Sequence, residues 1–234
     1  MSAYLLLPGL MCDAAVWAPL EPHWPEGASC TVVDYGEADS LAEMARRALA
    51  QAPPGPLHVA GHSMGGRVAL ELCRQAPQRV ASLALLNTGY LPLAEGEAGQ
   101  KELATRARFL QLARSQGVRA MAQDWVQGMV APQRLAQTEF IEAIVAMIAR
   151  QSEAIFAAQI HALIHRPDAT DVLRGLTMPV SVIAAAQDSW ATVAQHEAMV
   201  ALTPHARLHV LACGHMAPME DPAPTAQAIL SPGS

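Results

Sequence analysis

Val59-Ala60-Gly61-His62-Ser63-Met64-Gly65-Gly66 decides how this chain reads. It holds a G-x-S-x-G pentapeptide between two unlike neighbours. Leu57-His58-Val59-Ala60 predicts a short buried strand. Arg67 to Cys73 predicts a helix, with apolar residues at 68, 69 and 72. A serine on such a strand-to-helix turn has its hydroxyl turned outward. Gly61 and Gly65 lie where a Cβ would collide with the neighbouring strand or helix. Ser63 itself has to take an unfavourable φ/ψ that only a rigid turn can hold. Ser63 is therefore a candidate nucleophile. It needs a base, an acid to orient the base, and N–H donors for an oxyanion.

Of nine histidines, His215 is the candidate base. It lies on Cys213-Gly214-His215-Met216, just past the strand candidate Leu208-His209-Val210-Leu211. A loop histidine there can reach a nucleophile at the same sheet edge, and its ordinary pKa suits it to take and return a proton. His23, His58, His196, His205 and His209 read as solvated surface residues. The acid should lie between Ser63 and His215 if the order is Ser, Asp or Glu, His. Pro179 to Ala185 predicts a buried strand, and Asp188 follows its end, as His215 follows its own. A carboxylate there can accept the imidazole Nδ1–H and fix the tautomer. Asp168 and Asp171 compete for the role, but they precede the strand, and Asp171 reads as a helix cap or turn residue.

Two N–H groups are expected to meet the oxyanion. Met64, after the nucleophile, supplies one at a helix start. The loop Pro8-Gly9-Leu10-Met11, after the strand Tyr4 to Leu7, supplies the other. Gly9 lets that backbone come close, which makes Leu10 N–H the second donor. One such donor is typically worth ~2.7–4 kcal/mol in the transition state.

With these pieces placed, the chain resembles the α/β-hydrolase superfamily, in the small single-domain group that includes esterases, lactonases and carbon–carbon hydrolases. Leu5 to Leu10 looks like the family's strand and oxyanion loop, with Pro8 where many members carry histidine. Trp17 resembles the aromatic that often follows. Gly61 to Gly66 is similar to the nucleophile elbow, and Gly214-His215 with Glu220 and Pro222 looks like the closing histidine motif. Asp188 stands at the usual acid position. The loop Gly36 to Ser40 is a shortened version of the family's glycine-rich loop. The chain begins at what would be the family's third strand, so the resemblance implies a truncated N-terminus.

Composition fits that reading. The 234 residues suit one domain with a full core, and 52% hydrophobic with 15% charged residues is ordinary for a compact enzyme. Net charge is −6 with no basic block, so neither nucleic acid nor an anionic membrane surface is an expected partner. Apolar runs fall short of the ~20 residues of a membrane helix. The start of the chain lacks a signal-peptide pattern, and Cys12, Cys30, Cys73 and Cys213 lack paired spacing. The expectation is a cytoplasmic protein with reduced thiols. Cys213 reads as a packed thiol.

Strands are expected at 4–7, 30–35, 57–61, 80–86, 179–185 and 208–211. Helices are expected at 16–20, 40–51, 64–76 and 223–230. This alternation predicts an α/β fold, a mostly parallel sheet with helices on both faces. From 91 to 165 the pattern is helical only, with helices over 104–116, 118–130 and 133–165. It predicts a cap inserted between two halves of the core, 1–90 and 166–234, over the strand ends that carry Ser63, Asp188 and His215.

Met11, Trp125, Met129, Trp190 and Met216 are the candidate substrate contacts, in an apolar, deformable pocket suited to an acyl or aryl group. Met121, Met147 and Phe156 also lie on the cap, where packing of its own helices is the competing reading. Arg67 reads either as a contact for a substrate carboxylate or as a surface ion pair. His161 and His165 share a helical face, but no third ligand or H-E-x-x-H glutamate accompanies them, so no metal is expected. Neither G-x-G-x-x-G nor a P-loop occurs, so no nucleotide cofactor is implied. Three functions remain open. The first is a serine hydrolase of a small carboxylic ester, thioester or lactone. The second uses the same three residues for carbon–carbon cleavage or elimination. The third is a receptor that binds without turnover.

Overall fold

The structure, a computed structural model, describes residues 2–233. Six strands form one sheet: β1 (Ala3–Leu7), β2 (Ser29–Val32), β3 (Leu57–His62), β4 (Val80–Leu86), β5 (Val180–Ala185) and β6 (Arg207–Leu211). Their order is β2-β1-β3-β4-β5-β6, and every neighbouring pair is parallel. A parallel sheet covered by helices buries both faces of its central strands. Leu5, Leu6 and Leu7 of β1, and Val180 through Ala185 of β5, are accordingly all buried. Full burial of a leucine or valine contributes roughly 1.5–3 kcal/mol, so these runs anchor the sheet.

Helices α1 (Leu41–Gln51) and α2 (Met64–Gln75) connect the first strands and pack on each other, with α2 also against β1, β3 and β4. After β4 come α3 (Gly96–Gln116), α4 (Val118–Trp125), α5 (Thr138–Ala149) and α6 (Glu153–Ile164), with no strand among them, then α7 (Thr170–Arg174). The sheet resumes at β5, followed by α8 (Val193–Leu202), β6, α9 (Ala217–Glu220) and α10 (Pro222–Leu230). The strand order reverses direction between β1 and β3. In open α/β sheets such a switch point opens a crevice beyond the strand ends. Here the loop after β1 and the turn after β3 flank it.

Several boundaries differ from expectation. The strand expected over 30–35 ends at Val32. Val33 still donates to Leu6 O at 3.0 Å, but the chain then turns at Gly36, φ 52°, whose N–H meets Asp34 Oδ1 at 2.8 Å. The helix expected at 16–20 is two 3₁₀ turns, Ala14–Val16 and Ala18–His23. Pro19 and Pro22 lack the N–H that an α-helix requires. The single helix expected over 133–165 is split into α5 and α6. Ser152 Oγ accepts Ile155 N–H at 3.1 Å and caps the second one. The first turns of α3 are polar and carry no apolar stripe, which hid its start at Gly96. Apart from Asp171, expected as a helix cap or turn residue and found in the first turn of α7, no expectation covered α7, α8 or α9.

Candidate active site

The elbow is built from close approaches that only glycine allows. A Cβ on Gly61 would run into the backbone of Gly65, and one on Gly65 would run into the carbonyls of Leu7 and Pro8. β1, β3 and α2 therefore meet with nothing between them. Ser63, between β3 and α2, is held at φ 54°, ψ −118°. Such a backbone costs a non-glycine residue of order 1–3 kcal/mol and persists only where its surroundings fix it. Three bonds do so: Ser63 N–H donates to Leu86 O at 2.8 Å, and Ser63 O accepts Thr88 Oγ1–H at 2.6 Å and Gly66 N–H at 3.0 Å.

Ser63 Oγ lies 2.9 Å from His215 Nε2, and His215 Nδ1 lies 2.7 Å from Asp188 Oδ2. Residues separated by 152 and 27 positions thus form one hydrogen-bonded chain. Burial by itself would raise the Asp188 pKa. The His215 imidazole and the hydrogen bonds from His215, Ala191 and Asn87 outweigh it and hold the group down at about 2. Asp188 is therefore ionised at neutral pH and accepts only. Nδ1 of His215 carries the proton, and Nε2 is left to accept from the Ser63 hydroxyl. Asp168 and Asp171 take no part. Asp168 Oδ1 accepts Thr170 N–H, and Asp171 pairs with Arg174 at the surface.

The loop carrying His215 is tied down on three sides. His215 N–H donates to Met129 O at 2.9 Å. His62 Nε2–H donates to His215 O at 2.8 Å. Glu220 spans the turn, accepting Gly214 N–H, Met216 N–H and Ala131 N–H at 2.9–3.1 Å. His62 is buried, and burial together with the nearby His215 lowers its pKa to about 3, so it is neutral. Trp17 meets the His62 ring edge-on. Cys213 is also buried, and its thiol is pushed up to about 12, chiefly by burial and then by Glu220.

A cavity of about 830 Å³ opens at these strand ends. Ser63, His215, Leu10 and Met64 line it. Trp125, Met129, Trp190 and Met216 line it too. Met11 does not. It is fully buried at φ 60°, and its N–H donates to Gln159 Oε1 at 2.8 Å, fixing the loop after β1 to α6. Met121 and Met147 are likewise core. Trp125 stacks on Trp190 with centroids 5.9 Å apart, and Trp190 leans on the His215 ring at 4.9 Å. The cavity is not apolar throughout, because Arg67, Lys101, Glu102 and Arg106 also line it.

Sequence reasoning passed over Asn87 and Gln159 and misread His196. Asn87, at φ 48° just past β4, donates from Nδ2 to Asp188 Oδ2 at 3.0 Å. His196, expected at the surface, is fully buried and accepts Thr88 N–H at 3.2 Å. Gln159 lies 148 positions from the loop it holds. Only Asn87 left a signal, as an asparagine next to Thr-Gly past a strand end. His161 and His165 lie tilted against each other with ring centroids 4.2 Å apart, each with Nδ1 at a backbone carbonyl. Among the described residues no group of three or more His, Cys, Asp or Glu is placed to hold a metal ion. Among the described residues no helix is long and apolar enough to cross a membrane.

Comparison with known proteins agrees with this fold. The family model for the alpha/beta hydrolase fold matches residues 6–222. The chain belongs to the alpha/beta hydrolase fold family. A thermophilic esterase from Thermogutta terrifontis superposes with a TM-score of 0.85 at 26% identity, covering 98% of this chain and 88% of that one. The dihydrolipoyllysine-residue acetyltransferase component of the acetoin cleaving system of Pseudomonas putida is 43% identical over 60 residues, 26% of this chain and 16% of that one. The pimeloyl-[acyl-carrier protein] methyl ester esterase of Methylococcus capsulatus is 34% identical over 89 residues, 35% of each chain. The matched stretches thus span well under half the length of these two relatives.

Proposed function

We propose that the protein is a serine hydrolase that cleaves a small carboxylic ester, thioester or lactone through an acyl-enzyme on Ser63. One observation carries the reading: Ser63 Oγ, His215 and ionised Asp188 are linked at 2.9 and 2.7 Å beside a cavity. The esterases among its relatives support it. Ser63, His215 and Asp188 act as a catalytic triad. Ser63 Oγ attacks the carbonyl carbon while its proton passes to His215 Nε2. The backbone N–H groups of Leu10 and Met64 hold the oxygen that becomes negative. The carbonyl then reforms, the bond to the leaving group breaks, and His215 gives that group its proton. Water repeats the cycle on the acyl-enzyme, with His215 again as base, and releases the acid and free Ser63. Asp188 stays ionised throughout and stabilises the imidazolium. The helices of residues 91–165 act as a lid, with Trp125 and Phe156 facing the acyl group.

The test is a p-nitrophenyl ester series from acetate to decanoate, with wild type beside Ser63→Ala. Turnover by wild type that is lost in the variant supports the reading. Retained turnover in pure variant, or no turnover by folded wild type, contradicts it.

A further inference from the structure

We propose that the cavity takes an ester that also carries a carboxylate, seated on Arg67. The inference deepens the proposed function and rests on it for the identity of the scissile bond. The protein as a whole carries a net charge of −6, yet the cavity next to Ser63 is cationic. Arg67, Lys101, Arg106, Arg108 and Arg166 line it against only Glu102 and Asp124. Asp124 is used by Arg108 at 2.6 Å. Glu102 is shared by Arg106 at 2.8 Å and Arg166 at 2.7 Å. Arg166 is spent further, on the carbonyls of Leu91, Pro92 and Leu163.

Arg67 is left over. Among the described residues it has no carboxylate within ion-pair distance, and Nη1 donates only to Leu91 O at 2.9 Å. Its guanidinium packs against Gly89, where a Cβ would crowd Nη2. Burial, and then the charge of Arg166, pull its pKa down to about 9, so it is still cationic at neutral pH but held there at a cost. The attraction of a bound anion offsets that cost. A guanidinium with free donors matches the two oxygens of a carboxylate better than any other side chain. Arg67 is the fourth residue after Ser63 on α2, about 6 Å along the helix axis. Both residues line the same cavity, which suits a second charge on the same small substrate, as in a half-ester of a short dicarboxylic acid.

Two measurements test this. In the first, kcat/KM for monomethyl adipate is compared with that for methyl hexanoate, its neutral counterpart, in wild type, Arg67→Gln and Arg67→Lys. The charged-to-neutral ratio is expected to fall at least tenfold in Arg67→Gln and to recover in part in Arg67→Lys. An unchanged ratio overturns the proposal. The second needs no turnover. Monomethyl adipate is titrated calorimetrically into Ser63→Ala and into Ser63→Ala with Arg67→Gln, and inorganic phosphate into the former. Half-ester binding that weakens at least tenfold with Arg67→Gln supports the carboxylate site, even if wild type hydrolyses no ester and the proposed function falls. Absent binding, or equal binding to both variants, overturns it. Binding of phosphate without binding of the half-ester overturns the assignment to a carboxylate.

Discussion

Asn87 Nδ2 donates at 3.0 Å to Asp188 Oδ2, the same oxygen that His215 Nδ1 approaches at 2.7 Å. The other oxygen, Oδ1, accepts Trp190 and Ala191 N–H at 2.8 and 3.0 Å. Four donors thus fix the carboxylate that orients the imidazole. Asn87 sits at φ 48°, a backbone that asparagine tolerates better than most residues. Asn87→Gly keeps that backbone and removes the donor. A hydrogen bond to a charged group is worth about 1.5–3 kcal/mol, so kcat is expected to fall at least tenfold while KM stays near the wild-type value. Steady-state kinetics check this positioning role. A rise in KM at constant kcat would contradict it.

Asp188→Asn forces the wrong histidine tautomer without altering shape, and kcat is expected to drop by about 10⁴. Asp171→Asn, at a residue whose side chain is 93% exposed, is expected to leave kcat within twofold. Kinetics on the two purified variants separate them, and the reverse ranking would move the acid.

Acid stability follows from His62 and Asp188. His62 titrates near 6.5 when unfolded and about 3 when folded. The unfolded chain therefore gains a proton between these values that the native state refuses. The stability from neutral His62 is complete above pH 6.5 and is lost as pH falls toward 3. One such proton gives a slope of about 1.4 kcal/mol per pH unit. His196 is shifted the same way. Asp188 adds a further loss between pH 3.8 and about 2. Urea midpoints measured from pH 7 to 4 are expected to fall in wild type and to fall less steeply in His62→Gln. Parallel curves would contradict this account.

Gly65→Ala sets a methyl group against the Leu7 and Pro8 carbonyls, and backbone cannot step aside as a side chain can. The cost is expected to reach ~3 kcal/mol, the upper range for overpacking. Urea unfolding measures it, and a loss under ~1 kcal/mol would mean that β1 and α2 can separate.

What the sequence disclosed was local. Ser63 stands in a five-residue pattern, and Asp188 and His215 each follow an apolar run that reads as a strand. The three meet because parallel strands bring their carboxyl ends to one edge. Met11 was misassigned because adjacency to Gly9 and Leu10 says nothing about which side of a turn a side chain takes. Gln159, His196 and Asn87 act on partners about a hundred or more positions away, and no periodicity encodes such pairing. The break between α5 and α6 was present as a serine N-cap at Ser152, but the apolar residues on either side outweighed it.

The central claim is that Ser63 is the nucleophile. Its most direct test is covalent trapping with an alkyl p-nitrophenyl phosphonate, followed by intact-mass and peptide mass spectrometry. Wild type is expected to gain one phosphonyl group, located on Ser63, with stoichiometric release of p-nitrophenol, and Ser63→Ala to gain none. A folded wild type that stays unlabelled, or a label that persists in Ser63→Ala, would contradict the account.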